Sequence, residues 1–233
     1  MYRPAPHLLL LVLLCWLGPA RAVEPFEAEY ALSRGILTLG RMTRSLVIDA
    51  DHQYVLVSRM EATGLVSVFS SSSVTEESRG RIADRRFQPT SYRYDKKGSK
   101  RDYALHFDYA LNQVERSDGG DWHAAMPRGL LDKLSYQAQL MFDLEDVPQS
   151  LDYPIADKGK LKQYLITNTG NEAVETPLGR FDTVRLERAD DDSLRRTRVW
   201  CARALGWLPV KVEHRDKHGD VTIALLRHLE RGS

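Results

Sequence analysis

Few side chains in this 233-residue chain are of a type that does chemistry, and their spacing argues against most of it. Nucleophilic catalysis needs a serine or cysteine on a sharp turn with a base and an orienting acid. No Gly-x-Ser-x-Gly elbow occurs, and neither Ser67 nor Ser135 has local support as a nucleophile. His214 and His218 stand four apart, which on a helix would put both imidazoles on one face, but here they frame the turn Lys217-His218-Gly219-Asp220. His52, His106, His123 and His228 are scattered, so no metal is expected. Asp190-Asp191-Asp192 lacks the glycine and alternate spacing of a calcium loop and reads as solvated. Glu76 and Glu77 are adjacent, so on a strand they face opposite ways and cannot flank one glycosidic bond. Glycine-rich phosphate loops are absent, and no cofactor is predicted. What remains is binding. Trp122, Trp200 and Trp207 join ten tyrosines, of which Tyr92 and Tyr94 share one strand face and Tyr103 and Tyr109 another. Such surfaces serve either as packed core or as an aromatic-lined groove for an apolar or glycan ligand.

The elements that must position these residues are mostly strands. Period-two alternation places Tyr54, Leu56, Met60 and Ala62 on one face, and Tyr103, Leu105, Phe107 and Tyr109 on another, with Asp102, His106 and Asp108 pointing the other way. The same rule predicts strands over 26–33, 36–48, 161–167, 181–187, 197–201, 208–214 and 221–229. Turn residues punctuate them at Ser33-Arg34-Gly35, Asp95-Lys96-Lys97-Gly98, Ser117-Asp118-Gly119-Gly120 and Asn168-Thr169-Gly170-Asn171. The pattern is a mainly β, antiparallel meander. One segment departs from it: Leu131, Leu134, Ala138, Met141 and Phe142 recur at helical spacing, Asp132 can cap the start and Pro148 follows the end, predicting a helix over 131–144. The stretch 66–75 reads equally as strand or helical turn.

Residues 1–22 read as a secretory signal peptide, with Arg3, an apolar run from Leu8 to Leu17 and the small-residue site Ala20-Arg21-Ala22. The run is too short to span a bilayer, and no second one follows. Residues 23–233 are then expected as a single exported β domain with no transmembrane segment. The leader takes Arg3 and Arg21 and no acid with it, so the net charge of +1 becomes −1, which argues against a nucleic-acid partner. The basic clusters Arg85-Arg86, Lys96-Lys97 with Lys100-Arg101, and Arg195-Arg196 with Arg198 have acids nearby and read as solvated faces. Cys15 lies in the leader behind Leu14, against lipid anchoring, and leaves Cys201 as a lone thiol expected to be buried and inert.

Several short motifs together carry a family resemblance: Phe26-Glu27-Ala28-Glu29-Tyr30 with Gly35 and Gly40, Thr63-Gly64-Leu65, Phe87-Gln88-Pro89 with Tyr92, Leu131-Asp132-Lys133-Leu134-Ser135, Thr176-Pro177-Leu178-Gly179-Arg180-Phe181, and Leu208-Pro209-Val210 with Gly219. With them the chain resembles an exported bacterial family, domain of unknown function 3108, from about Phe26 to Leu229. The resemblance implies a periplasmic protein of a Gram-negative bacterium and a single curved antiparallel sheet, an incomplete β-barrel, with one covering helix. It supplies no catalytic residues. The concave face of such a sheet is either filled by side chains or left as a pocket. The expectation is a non-enzymatic binder of an apolar or amphiphilic envelope ligand, a lipid or glycolipid, lined by Tyr92, Tyr94, Leu105, Phe107 and Trp200 with Met141 and Phe142 from the helix. The alternatives are an envelope assembly factor that engages a protein partner through an exposed edge strand, and a hydrolase of envelope polymers.

Overall fold

The computed structural model describes residues 23–63, 73–99, 102–189 and 194–232. The leader, Ser67, the pair Lys100-Arg101 and the run Asp190-Asp191-Asp192 lie outside the described residues. One sheet dominates: β1 Phe26–Arg34, β2 Leu37–Ile48, β3 Gln53–Ala62, β4 Ser73–Ala83, β5 Arg86–Lys96, β6 Tyr103–Asp108, β7 Gln113–Arg116 and β8 His123–Ala125 form its first half. The two-residue β9 Leu131–Asp132, helix α1 Ser135–Asp143, and strands β10 Ser150–Ala156, β11 Leu161–Thr176, β12 Gly179–Ala189, β13 Arg196–Ala202, β14 Leu208–Arg215 and β15 Val221–Arg231 follow. The spatial order is β8-β7-β6-β5-β4-β3-β2-β1-β15-β14-β13-β12-β11-β10-β9. Neighbours are antiparallel throughout, except that β9 joins β10 in parallel through Leu131 and Ala156 with their partners Ile155 and Asp132. The sheet curls without closing, as an incomplete barrel.

Two sequence expectations shift. Asn168-Thr169-Gly170-Asn171 is not a chain-reversing turn; β11 runs through it to Thr176, and the register with β12 slips there as a bulge. Gly170, at φ +106°, supplies the left-handed step, while the Asn168 side chain accepts the Gly170 amide and the Thr169 hydroxyl donates to the Arg185 carbonyl. Turn chemistry inside a paired strand makes a bulge because its backbone groups already have partners across the ladder. The helix also begins later than its periodicity suggests. Leu131–Asp132 is a strand, α1 starts at Ser135, and a single 3₁₀ turn Leu144–Asp146 ends the segment.

The reason is Asp132. Its Oδ1 accepts the backbone amides of Leu134 and Ser135 at 2.7 and 2.8 Å, and its own amide donates to Ser135 Oγ at 3.0 Å. Its Oδ2 accepts the Ser78 hydroxyl at 2.6 Å, and Ser78 Oγ is 2.9 Å from the Tyr54 hydroxyl. All of these groups are buried. The capping carboxylate is thus tied to β3 and β4 as well as to the helix it starts. Burial pushes its pKa up to about 6, against the opposing effect of the Ser78 and backbone hydrogen bonds.

Helix α1 covers the concave face and fills it, with seven of its nine residues buried. Phe142 packs on Phe87, whose ring meets Tyr54 edge-on at 4.8 Å. On the other side Tyr136 meets Tyr164 edge-on at 5.4 Å and Tyr153 at 6.3 Å. Arg44 of β2, buried in the same interior, donates to Gln137 Oε1 at 3.0 Å. Cys201 is free and fully buried, and burial pushes its thiol up to about 12.

A second polar cluster holds the two halves of the sheet together at one end. Tyr103 of β6 donates to Asp157 beyond β10 at 3.0 Å, and Lys162 of β11 donates to the other carboxylate oxygen at 2.6 Å. Burial alone would raise Asp157, but Lys162 and Lys133 outweigh it and hold the carboxyl below the usual range. Glu76 faces inward to accept the Tyr92 hydroxyl, with Lys133 Nζ 3.7 Å away, whereas Glu77 turns outward to Arg79. Beside this cluster Trp122 lies against Gly159, where a Cβ would come within 3.3 Å of the indole side chain.

Two stability predictions follow from these networks. Because the folded pKa of Asp132 lies above an unfolded value of about 3.9, its contribution is greatest below about pH 4 and falls away as pH rises through 6, a loss on the order of 3 kcal/mol. In Asp132→Asn the amide nitrogen can donate to Ser78, which then donates to Tyr54. Urea unfolding from pH 4 to 7 should therefore show the variant gaining on the wild type as pH rises, and a pH-independent difference would contradict the assignment. Tyr103→Phe should cost about 1–3 kcal/mol at an unchanged m-value, since it removes a hydrogen bond to a charged, buried carboxylate.

Candidate functional site

Strand β5 pairs with β6 only from Ser91 to Tyr94, leaving its first half without a strand on that side. Helix α1 takes the place: the Phe87 amide donates to Gln139 Oε1 at 2.9 Å, and Gln139 Nε2 donates to the Arg85 carbonyl at 3.1 Å. Strands β6, β7 and β8 continue the sheet from the second half of β5 as a flap, with Leu105, Phe107 and Val114 turned into the core. The flap is pinned at the Tyr103–Asp157 end and gapes at the other.

The gap is a cavity of about 890 Å³. One wall is the β4–β5 hairpin with Asp84, Arg86 and Phe87; a second is the β6–β7 turn with Tyr109 and Asn112. The loop Met126-Pro127-Arg128-Gly129-Leu130 forms a third, and Asp152, Tyr153 and Pro154 of β10 complete it. Asp84 and Arg85, the central pair of the hairpin, are both left-handed at φ +51° and +59°, as is Asn112 at +51°. Such turns favour glycine, and a bulky residue there is strained by about 1–3 kcal/mol. The strain is held by Arg85, whose guanidinium donates to the Phe142 carbonyl at 3.0 Å while its own carbonyl accepts from Gln139. Arg85-Arg86 is therefore more than the solvated pair read from the sequence: Arg85 fastens the helix and Arg86 faces the cavity.

Burial raises Tyr153, whose hydroxyl donates to Asp143 at 2.8 Å, against the pull of Arg86, and the partial burial of the half-exposed Tyr109 raises it in the same direction against the pull of Arg81. Both phenols stay protonated at neutral pH. The cavity thus offers aromatic faces, the Met126 thioether, two guanidinium groups and two carboxylates, an arrangement suited to holding a molecule with apolar and charged parts. The buried serines give no comparable opening. Ser78 and Ser135 are fully buried and committed to Asp132. Among the described residues, no three His, Cys, Asp or Glu side chains converge as a metal set.

The residues expected from the sequence to line a pocket fall elsewhere. Tyr92, Leu105, Phe107, Met141 and Phe142 are buried in the core around α1, with Tyr92 directly opposite Leu105. Tyr94 is half-buried, stacked on Tyr103 with the Lys133 ammonium 5.5 Å over its ring. Trp200 is buried in the core as well, beside a bulge at Trp200–Cys201; it pairs across strands with Arg185 and Lys211, and the Lys211 ammonium stands 4.2 Å over its ring. Of these residues, only Phe142 borders a depression near the gap, one of about 350 Å³ that shares Arg86, Asp152 and Tyr153 with it. Arg86, Met126, Arg128 and Tyr153 are the lining residues that sequence reasoning missed, while Tyr109, one of the aromatics weighed for a groove, does line the cavity. A signal existed at Met126-Pro127-Arg128-Gly129, a Pro/Gly loop carrying one apolar and one cationic side chain. A separate cavity of about 530 Å³ lies between Val147, Glu172, Thr183, Arg203 and Trp207.

The architecture recurs in a solved β-barrel-like protein of domain of unknown function DUF1849 from Brucella abortus, with a TM-score of 0.61 at 12% identity, covering 91% of this chain and 99% of that one. MucB, solved in complex with MucA(peri), gives a TM-score of 0.33 at 12% identity over 90% of this chain and 51% of that one. Among curated proteins there is no significant match. The family model described as Protein of unknown function (DUF3108) matches residues 26–225, from the first residue of β1 into β15. The chain therefore belongs to the DUF3108 family of proteins of unknown function.

Proposed function

We propose that this protein is a non-enzymatic, periplasmic binder that holds an amphiphilic envelope ligand, a lipid or glycolipid, in the gap between its flap and β10. The observation that carries the reading is the cavity itself. Its volume of about 890 Å³ falls within the range of ligand sites, and Phe87, Met126, Tyr153 and Pro154 give it apolar walls beside charged groups. The signal-peptide pattern of residues 1–22 supports export. In this reading Tyr92, Leu105, Phe107 and Met141 act behind the site, as the packing that sets its walls, and Phe142 reaches its margin. The edge-strand alternative would have to use β8, β9 or the stretch Ser150–Pro154 of β10 that β9 leaves uncovered, all of them short. The hydrolase alternative lacks an accessible nucleophile in the Ser78–Asp132–Ser135 cluster.

The test is uptake of a lipophilic probe. Detergent-washed, lipid-stripped mature protein should enhance the fluorescence of N-phenyl-1-naphthylamine. Met126→Glu, which puts a charge on a half-buried apolar wall, should weaken uptake about tenfold or more with little change in melting temperature. Ala173→Glu, at the separate cavity, should leave uptake unchanged. No uptake by the wild type, or equal uptake by Met126→Glu, would overturn the proposal.

A further inference from the structure

The cavity is lined by charges of both signs. Several exposed arginines elsewhere on the sheet are matched to acids nearby: Arg41 to Glu61, Arg79 to Glu77, Arg93 to Asp95, and Arg196 and Arg198 to Glu187. In the gap, Arg86 and Arg128 stand with Asp84 and Asp152, and none of the four makes an ion pair among the described residues. Arg86 extends across the opening until its guanidinium is 4.0 Å from where a Cβ on Gly129 would lie, bringing it to the turn that carries Arg128. Asp84 is held at the rim by its left-handed hairpin, and Asp152 stands on the β10 wall, where it accepts the Gln163 side-chain amide at 2.6 Å.

Resting on the amphiphile reading above, we propose that the gap recognises a zwitterionic head group, a phosphate joined to an ammonium. Two guanidinium groups near one turn suit a phosphate, which arginine binds through a fork of parallel donors. The same two charges oppose a simple cation, and the two carboxylates oppose a simple anion. A ligand carrying both charges satisfies both pairs, and specificity of this kind arises as much from what is repelled as from what is attracted. The apolar part has its own place: Phe87, Met126 and Tyr153 line the cavity, and Tyr109 and Leu111, 49% and 72% exposed on the β6–β7 turn, extend an apolar lip beyond it.

Calorimetric titration of the lipid-stripped mature protein with dihexanoyl phosphatidylethanolamine, dihexanoyl phosphatidylglycerol and dihexanoylglycerol tests this. The ethanolamine lipid should bind about tenfold or more tighter than the other two. Asp84→Asn with Asp152→Asn should bring it to the level of the glycerol phospholipid, since asparagine tolerates the left-handed turn and keeps the fold. Arg86→Gln with Arg128→Gln should remove the advantage of the ethanolamine lipid over the uncharged lipid and put the anionic phospholipid below both, since Asp84 and Asp152 remain. Equal binding of all three, or tighter binding of the anionic lipid, would overturn the head-group proposal while leaving the amphiphile reading in place. Binding of none of them, together with failure to take up the naphthylamine probe, would overturn both.

Discussion

The amide of Phe87 is a buried donor on a strand whose neighbour has ended. Left without an acceptor it would cost about 1–3 kcal/mol, and the same open edge would expose the apolar interior of the curl. Gln139 meets the first need with its side-chain oxygen, and the helix that carries it meets the second by filling the concave face. Water or another strand would be the usual partner for such an edge. Here the partner is a helix that brings Phe142 against Phe87 on one side and Tyr136 against Tyr153 and Tyr164 on the other. The sheet need not close, because α1 completes both its hydrogen bonding and its core.

The gap follows from that closure. Once α1 takes the first half of β5's edge, the strands after it continue the sheet as a flap whose inward side chains Leu105, Phe107 and Val114 stay in the core. The flap is fixed where Tyr103, Asp157 and Lys162 meet and where Trp122 rests on Gly159. Toward the opposite end, the β4–β5 hairpin and the β6–β7 turn diverge from β10. The hairpin that forms one rim is strained, and its strain is held by the contacts that seat α1, so the shape of the opening and the seating of the helix depend on each other.

Ionisable groups inside the fold divide by how they are compensated. Asp157 and Glu76 have ammonium partners, and Asp157 is held charged by them. Asp132 has only neutral donors, and burial dominates its titration. The difference lies in the solvent each site excludes. The Glu76–Asp157 cluster sits at the end of the curl, where lysine side chains can reach in from water, while Asp132 lies between helix and sheet where none can follow.

Local periodicity was enough to read the strand content, the antiparallel meander and the existence of one helix, because alternation of burial is a property of each strand taken alone. It also showed that Glu76 and Glu77 must part, that Cys201 sits in an apolar strand, and that the Asp132 carboxylate holds the start of the helix, though not that the helix itself waits until Ser135. The family followed from short motifs spread along the chain. The position of α1 was not legible in this way. Nothing in 131–144 tells how deeply a covering helix packs into the curl; that depends on which strand edge lacks a partner, a fact of β5 and β6. For the same reason Tyr92, Leu105 and Phe107 looked equally suited to a pocket or a core, and the helix made them core. The cavity gathers Arg86, Tyr109, Arg128 and Asp152 from four separate segments, and no local pattern links residues that only the curl of the sheet brings together. The sequence determined which faces are apolar; the tertiary structure decided which of them meet, because burial is a pairwise matter between distant elements.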